Sequence, residues 1–77
     1  MVKYLLLKLA EEAGEIVVAA VKHRLHRTDG TRRKLEQEIG DLIAIVTLLT
    51  AGELNGNRID RAAEARETRE ARRAKKH

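Results

Sequence analysis

Twice in this chain an acid stands where a helical core should be apolar. Glu12-Ala13-Gly14-Glu15 runs into Ile16-Val17-Val18, and Glu38-Ile39-Gly40-Asp41 runs into Leu42-Ile43-Ala44. On an α-helix the two acids of each set, three positions apart, share a face. At about 100° per residue, Glu12 projects roughly 20° from Leu5, within the stripe formed by Leu5, Leu9, Ile16 and Ala20. Glu38 falls about 40° from Leu42, among Leu35, Ile39, Leu42, Ile45, Val46 and Leu49. Glu15 and Asp41 sit at the edges of these stripes, both displaced in the same direction by about 60°. Packed as a hairpin, the two helices bring four carboxylates to their interface. Isolated buried carboxylates are too costly to leave uncompensated, so the pattern calls for something cationic between them.

The remaining composition suits such a hairpin. Tyr4 is the sole aromatic residue, so the core is built from Leu, Ile, Val and Ala. With 77 residues the chain makes one small domain, 1–77, of a size at which oligomerisation is a common source of extra stability. A homo-oligomer is therefore expected. There is no cysteine, which excludes disulfides and thiolate metal sites. The Tyr4-Leu5-Leu6-Leu7 run is interrupted by Lys8 and followed by acids, which does not suit a signal peptide, and no apolar run approaches a membrane span. A cytoplasmic protein with no membrane partner is the expectation.

The periodicity predicts an all-α chain: a helical hairpin in a core region 1–57 and a charged third helix in 58–77. The first helix is expected from about Val2 to Arg24, with no proline to break it. A turn at Thr28-Asp29-Gly30-Thr31 follows, with Thr31 capping a second helix over about Arg32 to Ala51 that Gly52 terminates in the left-handed conformation. After a short loop, Asn57 is expected to cap a third helix, about Arg58 to Lys75, with Asp60 in its first turn. Gly14 and Gly40, mid-helix, each cost about 1 kcal/mol relative to alanine, which suggests that they allow close helix approach and leave room beside the carboxylates. His23, His26 and His77 have no partner spacing and are expected at the surface.

The net charge of +4 lies entirely in the tail. Residues 1–57 hold eight Lys/Arg against eight Asp/Glu, whereas 58–77 hold eight against four. Arg66, Arg69, Arg73 and Lys76 follow one face of the third helix, while Glu64, Glu67 and Glu70 follow another. After Leu54 and Ile59 its apolar residues are all alanine, so it is a weak core former.

Four carboxylates from two helices, with neither imidazole nor thiolate among them, make a hard oxygen site suited to Mg²⁺ or Mn²⁺ rather than zinc. Mg²⁺ commonly binds substrate phosphates as well as its protein ligands. Such an ion can lower the pKa of a bound water, neutralise phosphate oxygens and align an in-line displacement. Glu11, turned about 100° from Glu12, is placed to orient or deprotonate the attacking water.

The string Leu7 to Glu15, followed by Leu35 to Leu42, closely resembles the EExxE and ExxD signature of the MazG-like all-alpha nucleoside triphosphate pyrophosphohydrolases. The 22 residues between Glu15 and Glu38 fit that family's spacing, and the likeness covers about residues 5 to 52. Small phage-type members look especially similar, including their charged, alanine-rich third helix. The resemblance implies hydrolysis of a nucleoside triphosphate, with a deoxynucleotide as the expected substrate, to the monophosphate and pyrophosphate, with attack at the α-phosphorus. By position it makes Glu12, Glu15, Glu38 and Asp41 the Mg²⁺ ligands, with Mn²⁺ as an alternative ion, and Glu11, Glu12 and Glu38 the catalytic set. It offers Lys22, Arg66 and Arg69 as phosphate contacts, and it implies a homo-oligomeric helix bundle, dimer or tetramer, around the sites. One aromatic residue leaves little material for stacking on a base.

The rival reading is a non-enzymatic helical module whose basic third helix binds nucleic acid or an acidic partner through Arg66, Arg69, Arg73 and Lys76. It ranks behind the first because the helix has no interleaved aromatics and no recognised reading motif.

Overall fold

Burial along the first two helices repeats in alternating steps of four and three. On α1 (Val2–His26) the less exposed positions run through Leu5, Leu9, Glu12, Ile16, Ala19 and His23. On α2 (Asp29–Thr50) they run through Thr31, Leu35, Glu38, Leu42, Ile45 and Leu49. This is the spacing of a coiled-coil seam, averaging about 3.5 residues per turn. It explains one departure from expectation: Ala19, not Ala20, is buried, because a seam drifts by about 20° per heptad from an ideal 3.6-residue helix. The computed structural model describes residues 1–75, in which α1 and α2 pack against each other and α3 (Gly56–Lys75) follows them, with no strand among the described residues. Lys76 of the basic stripe and His77 lie outside those residues. The all-α reading stands.

Helix ends are set by local hydrogen bonds that differ from the expected ones. Arg27, at φ 47°, takes the left-handed conformation that ends α1, and its N–H donates to the carbonyl of His23 at 2.8 Å. Thr28 rather than Thr31 caps α2: its Oγ1 accepts from the Thr31 N–H at 3.1 Å, while its own N–H donates to Thr31 Oγ1, also at 3.1 Å. Asp29 and Gly30 are thus the first helical turn, not a separate turn, and Asp29 is stabilised there by the positive end of the helix dipole. The same Thr31 hydroxyl lies 2.8 Å from Nδ1 of His23, so a half-buried histidine, not a surface one, ties the end of α1 to the start of α2.

At the other end, α2 closes at Ala51 in a right-handed conformation, and no glycine among the described residues has positive φ. Gly52 therefore does not act as a left-handed terminator. Asn55, not Asn57, caps α3, its Oδ1 accepting from the Arg58 N–H at 3.1 Å. Because α3 begins at Gly56, Asp60 falls beyond its first turn.

The interior is slight. Among the described residues Leu5, Ala19, Leu49 and Glu38 are the buried side chains, and α3 contributes none. The backbone spans 38 × 28 × 15 Å, so the hairpin has no second layer over its broad face. Val17, Val18, Val21 and Leu25 on α1 and Ile39, Ile43 and Leu48 on α2 stay exposed, Leu25 at 71%. No described helix is long and apolar enough to cross a membrane.

Gly14 and Gly40 have no atom within 4 Å of where a Cβ would stand, so neither permits a close helix approach within the chain. Replacing Gly40 by alanine is expected to stabilise the hairpin by about 0.5–1 kcal/mol through helix propensity, read by urea denaturation. A loss of stability instead would show that a second chain packs against that position. Thr28→Ala is expected to cost about 1 kcal/mol in the same measurement, because it removes the acceptor of the α2 cap.

Candidate functional site

The seam places Glu12 of α1 and Glu38 of α2 among its apolar residues, and the neighbouring turn of α1 adds Glu15. One carboxylate oxygen from each of Glu12, Glu15 and Glu38 lies within 4.8 Å of the others. Glu38 is 3% exposed, Glu12 half-buried and Glu15 exposed, so the cluster opens from the helix interface toward solvent. It opens into a cleft of about 470 Å³ lined by Glu11, Gly14, Glu15, Val18, Ala19, Lys22, Lys34 and Glu38. Gly14 and Ala19 are the reason for the space: side chains of this size leave the wall of α1 recessed beside the acids.

The charge needed to hold three carboxylates together comes in part from Lys34. Its Nζ lies 2.8 Å from Glu38 Oε1, one helical turn further on. The hydrogen bond from Lys34, with a contribution from Glu15, holds the Glu38 carboxyl below the ordinary glutamate range despite burial, and the same contact pushes the Lys34 ammonium up. Burial, followed by the charges of Asp41 and Glu38, pushes Glu12 up. Glu15 is also raised, first by the close approach of the Glu38 carboxylate and then by the charges of Glu12 and Glu38. One lysine does not satisfy the cluster. Oε2 of Glu12 and Oε2 of Glu38 are both buried without any hydrogen-bond partner. Buried carboxylate oxygens left without a protein partner are costly, and a proton, a water or a further cation at the cluster would offset that cost.

Of the residues expected at the site, Glu12, Glu15 and Glu38 are brought together, and Glu11 and Lys22 line the cleft beside them. Glu11 is exposed and accepts from Lys8 Nζ at 3.1 Å. Asp41 stands outside the three-carboxylate cluster, although its charge is the second largest influence on Glu12. Arg66 and Arg69 lie on α3 and do not line the cleft; Arg66 instead donates to Glu70 at 2.9 Å, as Arg73 does at 3.0 Å. Glu70 therefore bridges the basic and acidic rows that the sequence separates. Lys34 was missed by the sequence reasoning, although its signal is plain: a lysine four residues before a stripe glutamate is the helical spacing for an ion pair.

Fold and site together define an all-α protein whose helical hairpin presents an acidic cluster able to hold a cation, set in a cleft with two lysines. Residues 2–76 match the MazG nucleotide pyrophosphohydrolase domain, and the chain belongs to that family. No curated protein and no solved structure gives a significant match.

Opposite shifts within one cluster give its stability a pH signature in the absence of metal. Glu12 and Glu15 bind protons more tightly in the folded chain, so stability rises as the pH falls toward and through their raised values. Glu38 is shifted the other way: its contribution is present above the unfolded glutamate range and is lost as the pH falls through its depressed folded value. Stability in EDTA should therefore pass through a maximum on acidification, between the raised values of Glu12 and Glu15 and the lowered one of Glu38. Urea titrations over that range check it, and Glu12→Gln, which removes the repelled charge while keeping shape, should raise the midpoint at neutral pH.

Proposed function

We propose that the chain is a Mg²⁺-dependent pyrophosphohydrolase that converts a nucleoside or deoxynucleoside triphosphate to its monophosphate and pyrophosphate. The observation that carries this reading is the pair of buried, unpartnered oxygens on Glu12 and Glu38 within a three-carboxylate cluster at the rim of a substrate-sized cleft. The donor set fits the ion. All its atoms are carboxylate oxygens, the hard ligands Mg²⁺ and Mn²⁺ prefer. One oxygen from each acid lies within 4.8 Å of the others, near enough for the three to share one ion.

Glu12, Glu15 and Glu38 hold the ion in this reading, with Asp41 reaching it by a change of side-chain rotamer from the same face of α2 as Glu38. A Mg²⁺ held there would supply charge to neutralise phosphate oxygens and would make a nearby water more acidic. Glu11, exposed at the cleft wall and held only by a surface ion pair with Lys8, orients the attacking water and accepts its proton. Lys22 and Lys34 line the same cleft and set positive charge beside the acids, where a triphosphate needs it. Water attack at the α-phosphorus forms the new P–O bond of the monophosphate, and the electron pair of the α–β bridge leaves on pyrophosphate.

Assembly supports the reading as well. The exposed valines and leucines of α1, the exposed isoleucines of α2 and the missing second layer over the hairpin suit burial against another copy of the chain. Arg66 and Arg69, which do not line their own chain's cleft, act on phosphate in this reading only from such a neighbouring copy.

Purified protein with Mg²⁺ is expected to release pyrophosphate from one or more nucleoside triphosphates and to stop in EDTA. Glu38→Gln and Asp41→Asn should each lower turnover by at least about a hundredfold while circular dichroism remains helical, since each removes one anionic ligand of the ion. Wild-type turnover in both variants would overturn the assignment. Salt-sensitive nucleic-acid binding without any metal-dependent hydrolysis would instead favour the exposed arginine face of α3 as the working surface.

A further inference from the structure

Three cations approach the acidic cluster or its cleft, and they are not equivalent. Lys8 pairs with exposed Glu11, and Lys22 lines the cleft without an ion pair among the described residues. Lys34 reaches the most buried acid, Glu38, at 2.8 Å, while its own side chain stays 61% exposed along the cleft wall. Its ammonium thus caps one of the two oxygens of a carboxylate whose other oxygen is buried and unpartnered. The contact places a single positive charge on a cluster of three acids, from one side, at one oxygen.

Resting on the metal reading above, we propose that Lys34 is a placeholder for the divalent ion: it occupies Glu38 in the metal-free chain and is released into the cleft when the ion binds. Three features support this role. The ammonium is a strongly hydrated point charge on a flexible stem, able to exchange one anionic partner for another with little reorganisation of the helix. Its exit is open, because the stem lies along the cleft and not beneath the helices. Its destination is useful, because release sets the ammonium near Lys22 on the wall that faces an incoming triphosphate. Lys34 is then a positioning residue with two states. In the first it keeps the acids folded together without metal, and in the second its charge is available to phosphate.

The test is direct titration of the full-length protein with Mn²⁺, followed by calorimetry and by the paramagnetic signal of the free ion. Lys34→Met removes the competitor and is expected to tighten Mn²⁺ binding by roughly three- to thirtyfold, the range of one partly buried charged contact. The metal-free variant should melt earlier than wild type and gain more from saturating Mn²⁺. Lys34→Arg, which keeps a cation at the site, should bind close to wild type and guards against loss of folding. Lys22→Met controls for the mere loss of a nearby positive charge and should change the affinity far less. Unchanged or weaker Mn²⁺ binding in Lys34→Met, or equal tightening in Lys22→Met, would overturn the placeholder while leaving the metal site intact. Failure of the wild type to bind Mn²⁺ would overturn the metal reading itself and the placeholder with it.

Discussion

The contact between Lys34 and Glu38 is the interaction on which the rest of this structure turns. A carboxylate placed between two helices is costly, and the seam has only a few buried apolar residues among those described, Leu5, Ala19 and Leu49, to offset that cost. A small all-α chain without a large core has no surplus with which to bury a bare charge. The lysine one turn away makes the burial tolerable, yet leaves two oxygens unmatched. Core packing and the acidic cluster therefore make opposite demands at one position. Replacing Glu38 by leucine would complete the seam and strip the cleft of its innermost carboxylate.

Secondary structure follows from that seam with little ambiguity. Two helices carrying apolar and acidic residues at alternating four- and three-residue steps pack along a matched line, and the connector between them is short. α3 differs because its outward face is arginine and glutamate, and beyond Ile59 its apolar side chains are alanine. It has nothing with which to join the seam. Its first turns approach α2 through Gly56 and Ile59, and it then extends into solvent with its charges paired to one another at Glu70. The three helices thus divide the labour: two form the hairpin that holds the acids, and the third is a charged arm.

Much of this is written in the order of residues, and the misses have physical causes. The triad of Glu12, Glu15 and Glu38 is legible because helical spacing converts directly into a shared face. Asp41 obeys the same rule but stands apart, since sharing a face fixes direction and not how far a short side chain reaches across an interface. The caps moved by two or three residues because Thr28 and Thr31, and likewise Asn55 and Asn57, are chemically able to perform the same role. What chooses between them is the angle at which the chain leaves the preceding helix, a tertiary property. Gly52 looked like a terminator, but α2 ends in a right-handed turn that needs no special residue there. Lys34 is the opposite case: its spacing of four residues to Glu38 is a local signal that the sequence itself carries.

The connector between α1 and α2 fixes more than direction. Arg27 in the left-handed conformation, the reciprocal Thr28 and Thr31 bonds and the His23 ring on Thr31 together join the helices through two non-helical residues, with both sides hydrogen-bonded. The rotational phase of α2 relative to α1 is thereby set at this point. One inserted or deleted residue here would turn α2 by about 100° if the caps re-formed, carrying Glu38 out of line with Glu12. The loop is thus a phase-setting element. Its length sets the alignment of the acids, although its own hydrogen bonds run to His23 and Thr31 and not to the carboxylates.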